Sequence, residues 1–230
     1  MKVIDAHSHI DYISHDIQTD VVGTIVCAVK ESEWDYLVNL GRFDNLIYCA
    51  FGVHPWYIDS VSDGYGLRLE NLLNQDSSYM VGEIGLDKNK QDMEKQIDVF
   101  CKQFDIAIKL HRSVFIHCVG AWDKILHILK QYKKSDLPVM IFHGFNGNDE
   151  IIKYLLKIDN NNVYFSVCKN ALYGGFKRIT QIPDNKILVE SDAKKDVNLI
   201  DVINKISEIK SNPGMANIIY NNTEKVLQNV

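Results

Sequence analysis

Eight short stretches of the chain are almost continuously apolar and rich in β-branched and aromatic residues: 3–5, 23–29, 46–53, 79–83, 114–118, 139–143, 163–167 and 187–190. An exposed strand alternates apolar and polar side chains, whereas a strand covered on both faces reads as an unbroken apolar run, so these eight predict a buried parallel sheet. Between and after them the spacing changes to the helical period, over 31–42, 67–74, 91–111, 121–134, 148–158, 176–181, 197–210 and 215–228. The longest of these places Met93, Ile97, Phe100, Phe104, Ala107 and Ile108 on one stripe, the face that packs on a sheet. Strands alternating with helices predict an α/β protein, a single (β/α)8 TIM barrel, with a doubly wound open sheet as the second choice.

Composition narrows this picture. The 230 residues, 46% hydrophobic and 24% charged, match an ordinary globular protein, and a barrel of this length is one unit, so residues 1–230 are read as a single domain. The polar cluster at 159–162 reads as a loop before a strand rather than as a boundary. With 25 basic and 30 acidic side chains the net charge is −5, which excludes a global basic field for holding nucleic acid. Any such partner has to be held locally, for instance through metal ions.

The five cysteines, Cys27, Cys49, Cys101, Cys118 and Cys168, are odd in number, far apart and free of any CxxC pair. They read as reduced, mostly buried thiols and point to the cytoplasm. The start of the chain has too short an apolar stretch for a secretion signal, and no run approaches the roughly 18 apolar residues of a membrane span. Neither export nor membrane insertion is expected, and no obligate protein partner is evident.

Barrels of this kind place their active sites at the carboxyl ends of the strands. Here those ends carry His7 and His9, His54, Glu83 with Asp87, His117, His143, and Glu190 with Asp192. Five of the eight histidines therefore gather on one rim, while His15, His111 and His127 fall elsewhere and read as structural or solvated. His7 and His9, two apart on an extended backbone, face the same way and suit one ion. Taken singly, each histidine could as well be a hydrogen-bonded core residue. Glu83 and Asp192 sit in apolar surroundings where an unpaired carboxylate is costly, so each needs a cation or a hydrogen-bond network. Glu190 fits a structural salt bridge equally well.

Together, the segments Asp5-Ala6-His7-Ser8-His9, Gly52-Val53-His54-Pro55, Gly82-Glu83-Ile84-Gly85-Leu86-Asp87, Gln96 with Phe100, Phe115-Ile116-His117, His143-Gly144-Phe145-Asn146-Gly147, the run from Ile182 to Asp192, and Asn222-Thr223 resemble the TatD family of metal-dependent hydrolases, within the amidohydrolase-like barrels. They occur in the family's order over nearly the whole chain. The resemblance implies that His7, His9 and Asp192 hold one divalent ion and that His117 and His143 hold a second. It further implies that Glu83 bridges the two and that His54 faces the substrate. Two departures concern substrate: many relatives carry Arg where this chain has Val119, and many have a Pro-rich loop where this chain runs Ala193-Lys194-Lys195-Asp196.

The resulting expectation is a two-metal phosphodiesterase, a TatD-type deoxyribonuclease acting as an exonuclease on DNA ends or a small phosphoester. It would use one or two Zn, Mn or Mg ions, with Asp192 as base and His54 on the phosphate or departing group. Trp56 and Tyr57 suit stacking of a terminal base or ordinary packing. The alternatives are a metal-dependent amidohydrolase or lactonase, a phosphoesterase of the PHP type, which also opens with Asp-x-His-x-His, and a non-catalytic metal-binding homologue.

Overall fold

In the computed structural model, which describes all residues except 17, 160, 175, 229 and 230, the eight apolar runs form eight parallel strands. These are β1 (Val3–Ser8), β2 (Val21–Cys27), β3 (Ile47–Phe51), β4 (Met80–Asp87), β5 (Val114–Val119), β6 (Met140–Phe142), β7 (Val163–Val167) and β8 (Ile187–Val189), each hydrogen-bonded to the next in sequence order. Helices α1 (Trp34–Phe43), α2 (Tyr65–Leu73), α3 (Met93–Leu110), α4 (Trp122–Leu129) and α5 (Asp149–Ile158) lie between successive strands. They are followed by α6 (Lys169–Gly174), α7 (Phe176–Gln181), α8 (Leu199–Lys210) and α9 (Met215–Gln228). This is a TIM barrel, and the open-sheet reading is set aside. The ring closes through side chains and single bonds: Asp192 donates its backbone N–H to the His7 carbonyl at 3.1 Å. Ser191 donates its own to Asp5 Oδ1 at 2.9 Å.

Boundaries moved where burial overrode local pattern. β1 reaches Ser8 and so carries His7 inside the strand, and β4 runs on to Asp87, while β6 stops at Phe142 with His143 just beyond it. The helix expected over 121–134 ends at Leu129, because the residues after Tyr132 are polar and bury nothing. The short α6 had no pattern long enough to announce it. Of the polar loop at 159–162, residue 160 lies outside the described residues.

The core has two parts. The larger lies between strands and helices, and a smaller cluster containing Ile25, Ala50, Met80, Phe115, Ile141 and Leu188 fills the barrel. Because side chains on a strand alternate, the residues two positions after Phe115, Ile141 and Leu188 return to the interior one layer higher. Those residues are His117, His143 and Glu190. An apolar plug thus supports a polar floor.

Candidate active site

Glu83 is the centre of that floor. Its side chain is almost wholly buried, and five imidazoles surround it. Oε2 lies 3.2 Å from His7 Nε2 and 3.4 Å from His9 Nε2. Oε1 lies 3.1 Å from His54 Nε2, 2.9 Å from His117 Nδ1 and 2.7 Å from His143 Nε2. The carboxylate is therefore divided, one oxygen facing the β1 pair and the other facing the histidines of the β3, β5 and β6 ends. Burial pushes its pKa up, but His143, His54 and His7 outweigh this and hold it well below the usual carboxylate range. Burial lowers His7 and His54, which remain neutral at pH 7. Against the same penalty, Glu83 and Glu190 raise His143 well above an ordinary histidine.

A close backbone approach makes this crowding possible. At Gly85 an added Cβ would overlap the His117 carbonyl oxygen, and at Gly52 it would press on the backbone of Gly82 and Glu83. The glycines of Gly82-Glu83-Ile84-Gly85 let β3, β4 and β5 converge until His54 and His117 reach one carboxylate.

The outer nitrogens of the rings separate their roles. His9 Nδ1 lies 3.0 Å from the Cys27 carbonyl oxygen, which only accepts, so the proton sits on Nδ1 and the Nε2 lone pair points inward. His54 is the reverse. Its Nδ1 accepts the Trp56 backbone N–H at 3.2 Å, so the neutral ring carries its proton on Nε2 and presents a donor. His117 Nε2 faces Asp87 Oδ2 at 3.5 Å and His143 Nδ1 faces Glu190 Oε1 at 3.6 Å, carboxylates placed behind imidazoles as in many metal sites.

Asp192 follows β8 in a left-handed conformation, φ 54°, which Asp tolerates better than most residues, and its bond to His7 turns it over the barrel mouth. Burial raises its pKa, but His143, His7 and Lys194 outweigh that and keep it below the usual range. Lys194 Nζ donates to Oδ2 at 2.5 Å.

Three overlapping sets, His7 with Glu83 and His143, His7 with His9 and Asp192, and His54 with Glu83 and His117, each bring ligand atoms within 4.8 Å of one another. Both His7 ring nitrogens, His117 Nε2 and His143 Nδ1 are buried without hydrogen-bond partners, and a cation beside His7 Nε2 would relieve the cost at that nitrogen. The donor set, imidazole with carboxylate, suits zinc or manganese and, less well, magnesium. The seven expected site residues all converge.

The site opens into a cavity of about 660 Å³ that also reaches Lys30, Trp56, Tyr57 and Lys194. Trp56 and Tyr57 do not stack on each other; Trp56 is 51% exposed and donates from Nε1 to Asp87 Oδ2 at 2.6 Å. Val119 ends β5, and residues 193–198 run directly to α8, as the sequence implied. The three remaining histidines lie elsewhere: His15 bonds Thr24 and Asp44, His111 ends α3 and His127 lies on α4.

Sequence reading overlooked Gln103. It is fully buried, accepts from Val53 N at 2.7 Å and donates to Val53 O at 3.2 Å, fixing the residue before His54. Gln96, two turns earlier on the same face of α3, clamps Asp87 in the same way, accepting from its N at 2.8 Å and donating to its O at 3.2 Å. The available signal was a pair of amides seven residues apart on an apolar stripe, where amides need buried partners.

The model of TatD-related DNases matches residues 4–228. A human 3'-5' RNA nuclease, TATDN2, is 30% identical over 166 residues, 70% of this chain and 21% of the human protein. The 3'-5' ssDNA/RNA exonuclease TatD of Pectobacterium atrosepticum is 31% identical over 181 residues, 75% of this chain and 68% of that protein. The chain thus spans about a fifth of the human relative and two thirds of the bacterial one. The fold matches the crystal structure of YJJV, a TatD homologue of Escherichia coli K12, with a TM-score of 0.86 at 23% identity over 97% of both chains. With the family's match running nearly end to end over a barrel of the same architecture, the chain belongs to the TatD-related DNase family.

Proposed function

We propose that the protein is a two-metal phosphodiesterase that removes nucleotides from the 3' ends of single-stranded DNA or RNA; the bacterial relative is named a 3'-5' ssDNA/RNA exonuclease and the human one a 3'-5' RNA nuclease. The observation that carries this reading is the division of Glu83 between two groups of histidines, the arrangement a bridging carboxylate requires. His7, His9 and Asp192 would hold one divalent ion, and His117 and His143 the other, with Glu83 between them. Bound there, the ions neutralise phosphate charge and acidify the attacking water.

The chain's own residues supply the rest. Asp192, ionised at neutral pH, would take the proton of the attacking water. His54 keeps its proton on Nε2 through the Trp56 N–H; that donor faces Glu83 Oε1 at 3.1 Å and would turn to a phosphate or departing oxygen when substrate enters, outside the proposed ligand set. Asp87 and Glu190 stand behind the rings of His117 and His143, at 3.5 and 3.6 Å, where they would orient them on tightening. To ligate a cation, His143 would have to give up its proton, so loading would release protons.

The test is a substrate panel with added Zn, Mn or Mg: single- and double-stranded DNA, RNA, a chromogenic phosphodiester and N-acyl compounds. Shortening of single strands from the 3' end, abolished by chelator, is expected. Amide turnover without phosphodiester turnover, or rapid nicking of closed-circular DNA, would overturn the reading.

A further inference from the structure

The cations around the cavity are unequal. Lys194 is held by Asp192, and Lys30 sits 4.4 Å from the centre of the Tyr57 ring with Glu33 Oε1 at 3.9 Å. On that side Asp11 also lines the cavity. Beyond Trp56 the balance reverses. A second groove of about 390 Å³ lies between the segments that follow β4 and β5, lined by Lys88, Lys90, Gly120 and Lys124 among others. Its acids are engaged: Asp92 caps α3 by accepting from Lys95 N, and Asp123 pairs with Lys124 at 3.6 Å. Lys88 and Lys90 have no carboxylate partner among the described residues; Lys88 lies along Gly120, and Lys90 Nζ rests 4.3 Å from the centre of the Trp56 ring. The platform is fixed, because Gln96 donates to the carbonyls of Asp87, Lys90 and Gln91.

We propose that a single-stranded polynucleotide with its end in the histidine pocket leaves it across Trp56 and enters this groove, where Lys88 and Lys90 meet the next phosphates. The half-exposed indole stacks a base, which exchanges with the Lys90 ammonium and frees it for the adjoining phosphate. In a protein of net charge −5, two unmatched ammonium groups beside one exposed ring give the strand its direction. This inference rests on the nuclease reading above.

Binding of a fluorescent single-stranded 12-nucleotide DNA with hydrolysis-resistant phosphorothioate linkages in added Mn, followed by anisotropy against salt, tests it together with turnover of a chromogenic phosphodiester in added Mn. Lys88→Glu with Lys90→Glu is expected to weaken oligonucleotide binding about tenfold or more. With two lysine–phosphate pairings removed, each worth roughly 0.7 in the slope of log K against log salt, that slope should flatten by about 1.4. Trp56→Ala should weaken binding about tenfold. Small-diester turnover should stay within about twofold in the lysine variant. Lys153→Glu with Lys157→Glu on α5 makes the same charge change elsewhere and should leave binding unaltered. Wild-type-like binding and degradation of oligonucleotides by the Lys88/Lys90 variant, or equal weakening by both double variants, would sink the proposal alone. A native protein that hydrolyses the small diester but neither binds nor degrades any oligonucleotide would sink it together with the nuclease reading.

Discussion

Replacing Gln103 by Met separates the support of the site from its chemistry. Methionine has nearly the same length and volume, so packing on α3 is kept and the carboxamide alone is lost. Val53 then has a buried N–H and a buried carbonyl without the partners that now stand at 2.7 and 3.2 Å, and the Val99 carbonyl loses the amide donor now at 3.2 Å. Each stranded backbone group costs about 1–3 kcal/mol, so the two at Val53 total roughly 2–5 kcal/mol after partial relaxation. For a chain of this size 1 kcal/mol corresponds to about 2–4 °C, which gives a Tm lower by about 5–15 °C in thermal unfolding followed by circular dichroism. Val53 directly precedes His54, so turnover of a phosphodiester well below the new Tm should also fall, while metal titrated against the folded protein binds as before. A Tm within about 2 °C of the native value would refute the reasoning, since Val53 would then be satisfied some other way.

Asp192→Asn keeps size and one oxygen but accepts no proton, and turnover should fall by about 10²–10⁴ with metal still partly bound, checked by kinetics and metal analysis. Glu190→Gln disturbs a buried carboxylate that accepts from Gly144 N at 2.6 Å; its effect should appear first as a Tm lower by a few degrees, with a smaller loss of turnover than at Asp192. Burial opposes ionisation of Asp44, but His15 and the Leu46 N–H outweigh it and keep the carboxyl below its ordinary value. A depressed acid stabilises the fold above the unfolded pKa, about 3.9, and that share is lost as pH falls through the lower folded value. Asp44→Asn should therefore flatten the acid limb of stability against pH, and an unchanged limb would count against it. Removing divalent metal with chelator should lower Tm by several degrees relative to metal held near 100 times Kd, because only the folded chain assembles the ligands, a difference of about 2.7 kcal/mol.

The sequence alone determined the layers and the ingredients. Runs such as Val114 to Ile116 stay apolar because both faces of a parallel strand are covered, and the stripe from Met93 to Ile108 marks a helix that lies on them. The histidines were legible because His-x-His and the strand-ending positions of His117 and His143 are local patterns, and their gathering on one rim sets them apart from scattered core histidines. Tertiary structure decided everything that depends on distant neighbours. Closure of the barrel rests on residues far apart in the chain, Asp5 and His7 with Ser191 and Asp192, whose meeting no local period encodes. The opposite tautomers of His9 and His54 are set by a carbonyl on β2 and an N–H two residues on, so identical side chains become an acceptor and a donor. Gln103 looks like a flaw on an apolar stripe until Val53 is placed against it, and Lys90 gains meaning only when Asp92 proves to cap α3 and Asp123 to pair with Lys124. Composition and period are properties of neighbours along the chain, whereas protonation, pairing and charge balance belong to neighbours in space.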